Sequence, residues 1–238
     1  MKNTTLGSIC GVTLAFGLSS AAWSADLQVS PVSLEIPASG ATGVLTLHNA
    51  SDRPLNAQAR VYRWTQVDGK DELEETDAVV ASPPVAEIGP GQNYSLRIVR
   101  ADGAPAAEPE YYRLIVDELP EASSPRNGTV NLVLRYSVPV FFSAGGGDPK
   151  LSWSVEKANG RVAVTLRNDG DRHVRISGLK LKDKSGGSVS FGSGLVGYAL
   201  GHSSVQWLSP PARGFTGGPA EISAMSDIGA VHATAGSR

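Results

Sequence analysis

Short runs of alternating apolar and polar residues dominate this chain, and almost no window shows a helical period. Before residue 143 the runs cover 27–36, 43–48, 58–64, 95–100, 111–119 and 129–142. Turn-forming pairs such as Asp68-Gly69 and Asn127-Gly128 fall between them, as expected for hairpins. Strands at this spacing are typical of a β-sandwich. We therefore predict an all-β fold.

The alternation stops at residues 143–149, where three glycines precede Pro149. Such a segment predicts a linker rather than a strand. Further strand-like runs follow at 151–156, 161–167 and 174–181, and the first two flank the hairpin pair Asn159-Gly160. Strand signals weaken in the Gly- and Ser-rich stretch 185–197. The pattern predicts two tandem sandwiches that meet at an angle and leave an interdomain cleft.

The N-terminus has the three-part layout of a secretory signal peptide, with Lys2, an apolar run over 6–18 and then small residues. The run is too short for a membrane span, which needs about 20 apolar residues. We expect cleavage near Ser24 or Ala25 and export to the periplasm, without direct membrane insertion. The predicted segments are a signal peptide at 1–25, a first domain at 26–144, a linker at 145–149 and a second domain at 150–238.

Cysteine usage and charge narrow the class further. The only cysteine, Cys10, lies in the signal segment, so the exported chain must be stabilised by core burial alone. Without Lys2 it carries 20 Lys and Arg against 23 Asp and Glu, and this balance gives no indication of nucleic-acid binding. The four histidines lack metal-ligand spacing, and we expect no metal, no cofactor and no catalytic residue.

Several segments then carry a family resemblance. They are Leu-Gln-Val-Ser-Pro at 27–31, Leu-Thr-Leu-His-Asn at 45–49, the strand at 58–64, Ile-Gly-Pro-Gly-Gln at 88–92, the strand at 111–120, Asn-Asp-Gly at 168–170 and the segment 197–204. Their order and spacing resemble the PapD-type periplasmic pilus chaperones. The absence of cysteine and the Tyr-Arg-Leu at 112–114 are closest to the archaic, Csu-like branch.

The resemblance implies two immunoglobulin-like domains and a non-enzymatic role in fimbrium biogenesis, pilus assembly and cell wall organization. Such chaperones bind pilus subunits that lack their last strand and lend them a strand of their own, which is donor-strand complementation. An outer-membrane usher is implied as the second partner. Whether the free chaperone caps its own donor strand by dimerising stays open.

The strand after Asn127-Gly128 suits the donor role. The side chains of Val130, Leu132, Leu134 and Tyr136 project from one face because strand residues alternate. The other interpretation is that they fill the chaperone's own core. Val133 and Phe141, on the opposite face, are the stronger core candidates. We expect the second half, 137–142, to lead into the hinge, with Pro139 at an edge or at the strand's exit.

The family also anchors the subunit's C-terminal carboxylate with two basic residues. This chain departs from that pattern, since Pro31 is followed by Val32 and Ser33, and no lysine occurs late in the donor strand. Arg113 is our first candidate for the anchor and Arg135 the second. The alternative for both is a solvated arginine at a strand edge.

Two local features have plain structural interpretations. The acidic run 71–77 predicts a solvated loop, with a usher-contacting patch as the alternative. Trp64 predicts the core tryptophan of a sandwich.

Two other classes of function remain open. One is a structural pilus subunit or carbohydrate-binding adhesin, which would be expected to carry a donor extension before its first strand. The other is a periplasmic hydrolase, for which no acid–base or nucleophile arrangement is found.

Overall fold

The computed structural model describes residues 26–37, 39–120, 133–143, 147–212 and 214–237. The described residues form strands, turns and irregular segments, and no helix occurs among them. This confirms the predicted all-β class.

Within the described residues, ten strands precede the predicted linker. They are β1 (Leu27–Ser30), β2 (Leu34–Pro37), β3 (Thr42–Asn49), β4 (Leu55–Val67), β5 (Lys70–Glu75), β6 (Val79–Ser82), β7 (Val85–Ile88), β8 (Asn93–Arg100), β9 (Glu110–Leu119) and β10 (Arg135–Ser143). One sheet has the order β1-β3-β8-β6; the other has the order β2-β10-β9-β4-β5, with β7 paired to β4.

The two sheets enclose one hydrophobic core, because alternate side chains of each strand point to the same face of its sheet. Leu45 and Leu96 enter it from the first sheet, and Leu114, Val140 and Phe142 from the second. The run predicted as one strand at 27–36 is two strands, because the chain changes sheets after Ser30. β1 pairs with β3, whereas β2 lies parallel to β10 in the opposite sheet.

Eight strands follow residue 150. They are β11 (Leu151–Ala158), β12 (Arg161–Asn168), β13 (Val174–Asp183), β14 (Ser188–Ser190), β15 (Leu195–Ala199), β16 (Ser203–Leu208), β17 (Ala220–Ser226) and β18 (Gly229–Ser237). They form one continuous sheet in the order β14-β13-β17-β18-β11-β12-β16, with β15 paired to β13. A second core, including Leu166, Ile176 and Phe215, lies within it.

The structure corrects two expectations about local structure. The acidic run is not a loop: Lys70–Glu75 form strand β5, although every residue in it is exposed, as the prediction of solvation requires. β5 is the last strand of its sheet, where charged residues discourage edge-to-edge pairing with other chains. The stretch 185–197 also contains β14 and the start of β15.

The hairpin turns follow the sequence signals. Asn159 and Gly160 both have positive φ, at 52° and 72°, as do Asp68 and Gly69, at 51° and 78°. Two consecutive left-handed residues give the tight turn whose twist matches the flanking strands. These pairs therefore join β11 to β12 and β4 to β5.

The same turn occurs once in each domain. The sequence 45–55, LTLHNASDRPL, matches 164–174, VTLRNDGDRHV, and both place an asparagine at the end of a strand. The buried amide of Asn49 donates to the carbonyl oxygen of Ile88 at 2.9 Å. The Asn168 amide donates to that of Leu200 at 3.1 Å. Each asparagine thus fixes a neighbouring loop.

A buried carboxylate organises the loops of the second domain. Asp183, at the end of β13, accepts hydrogen bonds from the backbone and hydroxyl of Thr216, at 2.7 and 2.8 Å. It also accepts from the hydroxyl of Ser185 at 2.7 Å and the backbone N–H of Gly187 at 2.7 Å. These bonds, that from the Thr216 backbone first, hold the pKa of Asp183 well below its usual range.

This carboxylate makes stability depend on pH. The pKa of Asp183 is lower in the folded chain than in the unfolded chain. Its contribution to the free energy of unfolding is therefore present at neutral pH and is lost as the pH falls below about 4, the usual pKa of aspartate. We expect Asp183→Asn to unfold at a lower urea concentration than the wild type at pH 7. The gap between the two midpoint urea concentrations should narrow towards pH 3, and urea titrations at several pH values measure it. A gap that stays constant over this range would contradict the assignment.

Candidate functional site

Strand β10 has an open edge. It pairs antiparallel with β9 over Arg135–Phe142, but it pairs with β2 only from Val140 onward. Among the described residues, the segment from Arg135 to Pro139 therefore has a strand neighbour on one side alone. Backbone groups on the other side can accept a further strand. The edge position predicted for Pro139 is confirmed.

The predicted donor residues fall into two groups. Val130 and Leu132 lie outside the described residues. Leu134 and Tyr136 are partly buried and pack against the core of the first domain. The Tyr136 hydroxyl also donates a hydrogen bond to the carbonyl oxygen of Leu27. In this structure these two side chains are therefore held in part by the chain's own core.

One expectation about this strand was wrong, and two are made more specific. Val133 is not a core residue; its exposed fraction is 52%. Phe141 is buried, but on the face of the sheet opposite Val140 and Phe142, outside the sandwich core. Residues 137–142 are regular strand, because β10 stays paired with β9 as far as Phe142 and ends at Ser143, just before the predicted linker.

The two domains meet through a cluster of aromatic side chains, which we call the domain joint. Phe141 lies at its centre, with ring centroids 6.0 Å from Trp64 and 5.7 Å from Tyr198. Tyr111 and Leu200 complete the cluster. Trp64, predicted as a core tryptophan, is 1% exposed but lies in this joint. Local alternation could not predict this place, because the cluster around Trp64 includes Tyr198 and Leu200 of the second domain.

Hydrogen bonds cross the domain joint on two sides. The Tyr111 hydroxyl donates to the carbonyl oxygen of Asp171 at 2.8 Å and accepts from the Gly201 N–H at 3.1 Å. At the tip of the β4–β5 hairpin, the Gln206 N–H donates to the carbonyl oxygen of Gly69 at 2.8 Å. Apolar packing flanked by directional bonds favours one relative orientation of the domains.

Arg113 lies at the edge of the domain joint. Its guanidinium carbon is 3.7 Å from the centroid of the Trp64 ring and 5.4 Å from that of Tyr198. The side chain is 15% exposed, and its nearest carboxylate, that of Asp71, is 4.0 Å away. Burial lowers the pKa of Arg113, and Asp71 opposes that effect. An arginine nevertheless stays charged, so this corner holds a largely buried cation with one carboxylate at the outer limit of ion-pair distance.

A neighbouring donor is also unpaired. Among the described residues, Trp64 Nε1 is the one buried side-chain nitrogen or oxygen without a hydrogen-bond partner. A buried donor left unsatisfied costs about 1–3 kcal/mol. Nε1 is closed off from solvent, so the feature of this corner that suits an anionic group is the Arg113 charge, whose nearest carboxylate is 4.0 Å away.

Arg135 is placed differently. It is 66% exposed, and its guanidinium is paired with Asp117, which also accepts from Arg60 at 2.7 Å. The hydrogen bond from Arg135 is the main reason that the pKa of Asp117 is lowered. Arg113 lies opposite Pro139, four residues from Arg135 along β10, or roughly 13 Å at about 3.3 Å per residue. The structure does not bring the two candidate arginines together.

A cavity of about 840 Å³ opens on the other side of the domain joint. His173 lies in its wall, stacked on Phe141 with centroids 3.6 Å apart and 3.2 Å from the Glu35 carboxylate. His202 pairs with Asp171 at 2.6 Å in the same wall. Within the part of the chain that is described, no group of three or more His, Cys, Asp or Glu residues has a metal-binding arrangement.

Comparison with known proteins identifies the family. Residues 26–145, just over half of the chain, match the family of pili and flagellar-assembly chaperones, PapD N-terminal domain. The chain belongs to the PapD-type pilus chaperone family. No match is found among curated protein sequences.

Solved structures of pilus chaperones superpose on nearly the whole chain. The chaperone–tip adhesin complex CsuC–CsuE of the archaic Csu pili of Acinetobacter baumannii has 26% identity and a TM-score of 0.69, covering 90% of this chain and 100% of the other. The SafA pilin–SafB chaperone complex of Salmonella enterica has 16% identity and a TM-score of 0.60, with 90% and 98% covered. The Escherichia coli chaperone DraB has 20% identity and a TM-score of 0.57, with 87% and 97% covered.

These likenesses confirm the two-domain chaperone fold, the role in pilus assembly and the resemblance to the archaic branch. The family is one of periplasmic chaperones, which places this chain in the same class. Among the described residues, none forms a helix long and apolar enough to cross a membrane.

The position of Phe141 in the domain joint can be tested against that of its neighbour Phe142. Each Phe→Ala change should lower the free energy of unfolding by about 3 kcal/mol. Only Phe141→Ala should also broaden the distance distribution between spin labels on the two domains, because Phe142 lies within one sandwich. Labels at Asn56→Cys and Lys182→Cys, both exposed sites, report this by double electron–electron resonance. Equal broadening in both variants would argue against the joint.

Proposed function

We propose that this chain is a non-enzymatic periplasmic chaperone that captures pilus subunits by donor-strand complementation and delivers them to an outer-membrane usher. The observation that supports this best is the open edge of β10, which pairs on its other side with β9, the strand that carries the largely buried cation Arg113. An incoming subunit strand would pair with that edge, and a terminal carboxylate would meet the arginine. The signal peptide at 1–25, with cleavage near Ser24 or Ala25, is part of the proposal.

The donor strand would combine backbone pairing with alternate side chains. Val130, Leu132, Leu134 and Tyr136 are spaced to enter successive pockets of a subunit groove. Each buried side chain would contribute about 1.5–3 kcal/mol before the cost of ordering the strand. Leu134 and Tyr136 are already partly buried, so Val130 and Leu132 would supply most of the newly buried surface.

For the carboxylate anchor we propose Arg113 ahead of Arg135. Arg113 has one carboxylate at 4.0 Å, whereas Arg135 is already engaged by Asp117. A subunit carboxylate would satisfy the Arg113 guanidinium with charge-assisted hydrogen bonds, which are stronger than neutral ones. No observation in the described residues favours a pilus subunit, an adhesin or a hydrolase instead.

The donor strand can be tested at Leu132. A buried aspartate cannot occupy an apolar pocket without a large desolvation cost, so Leu132→Asp should abolish recovery of a co-expressed subunit on the chaperone. Val133→Asp, one residue on and exposed, is the matched control and should leave recovery unchanged. Retention of the subunit by Leu132→Asp would rule out this donor strand.

The anchor can be tested with two charge reversals. Arg113→Glu should reduce subunit recovery at least tenfold, since it replaces attraction for a carboxylate by repulsion, while Arg135→Glu should have little effect. Because Arg113 is largely buried, a charge reversal could disturb folding. Arg113→Met is the second variant, since it keeps a similar side-chain volume and removes the charged guanidinium. Circular dichroism checks that each variant folds. Normal recovery with folded Arg113→Met would exclude Arg113 as the anchor.

A further inference from the structure

The side-chain amide of Gln66 makes four hydrogen bonds at the domain joint. Its nitrogen donates to the carbonyl oxygen of Tyr198 and to the Asp71 carboxylate, each at 2.8 Å. Its oxygen accepts from the Leu200 N–H at 3.0 Å and the Ser203 hydroxyl at 2.8 Å. One residue of the first domain is thus bonded to three residues of the second and to one of its own.

Two of these partners are the groups that flank Arg113. The Tyr198 ring lies 5.4 Å from the guanidinium carbon, and the Asp71 carboxylate is 4.0 Å from Nη2. Tyr198 belongs to β15 and Asp71 to β5, so they reach Arg113 from different domains. Gln66 is the residue that bonds to both. Its amide therefore fixes Asp71 and Tyr198, the two residues beside which the guanidinium lies.

We propose that Gln66 is a positioning residue for the carboxylate anchor. By holding Asp71, it keeps that carboxylate too far from Arg113 to form a close ion pair, so the guanidinium remains available to an incoming carboxylate. By holding Tyr198, it keeps the guanidinium between two rings and aligned at the domain corner. This inference rests on the proposed function of Arg113 and adds the group that prepares it.

Without the Gln66 amide, Asp71 and Tyr198 should each lose the hydrogen bond that holds them beside Arg113. In Gln66→Met, which keeps the volume of the side chain, Asp71 loses a hydrogen bond and is free to close on Arg113. A close pair inside the site competes with any external carboxylate. Tyr111→Phe is the matched control, since it also removes hydrogen bonds across the domain joint but contacts neither Asp71 nor Arg113 in the described structure.

The experiment is a competition within one cell. The chaperone is co-expressed with equal amounts of a pilus subunit from its own gene cluster in two forms, one with the native C-terminus and one extended by two glycines. The ratio of the two forms in the purified complex, measured by mass spectrometry, reports preference for a carboxylate at the native position. Wild type and Tyr111→Phe should prefer the native form at least tenfold, and Gln66→Met should fall to within twofold of parity.

The outcomes separate this inference from the function on which it rests. If the wild type shows no preference, or Arg113→Met keeps the full preference, the anchor itself is wrong. If Arg113→Met loses the preference but Gln66→Met retains it, the positioning role is overturned and the anchor stands. If Gln66→Met lowers recovery of both forms equally at an unchanged ratio, Gln66 is only structural. The double variant should lose no more preference than Arg113→Met alone.

Discussion

The domain joint is the interaction on which the rest of the structure depends. Each domain has its own core. Phe141, Trp64 and Tyr198 are instead buried together in a cluster to which both domains contribute. Phe141 belongs to the same strand whose other half has an open edge. The contact that fixes the domains therefore also fixes β10. A partner paired to that edge is held at a defined angle to the second domain.

Burial at the domain joint leaves the Arg113 charge without a close anionic partner. A charge removed from water is costly unless it is paired, and stacking on Trp64 offsets only part of that cost, since such contacts contribute about 1–2 kcal/mol. Asp71 at 4.0 Å is too far for a strong hydrogen bond. The corner is thus a place where an added anion gains interactions that the free chain does not make.

Alternation and turn pairs were enough to predict the class and most of the long strands, because a residue's face in a strand depends on its neighbours in sequence. The single strand predicted at 27–36 failed, since the change of sheet depends on which partner each half finds. β5 was missed because its acidic residues are exposed on both faces and leave no alternation. The surroundings of Trp64 and the two arginines could not be predicted for another reason: they depend on strand register and on the second domain, which no local pattern contains.

If β10 is the donor strand as proposed, the boundary between the chaperone and its partner lies within it. Leu134 accepts a hydrogen bond from the Glu118 N–H at 2.9 Å through its carbonyl oxygen, and Tyr136 bonds to Leu27, so both residues already belong to the first domain. An apolar side chain that is half covered by its own core gains less from a subunit groove than one that is fully exposed. Specificity for a subunit should then be set before residue 134, while Leu134 and Tyr136 keep the donor strand in register with β9.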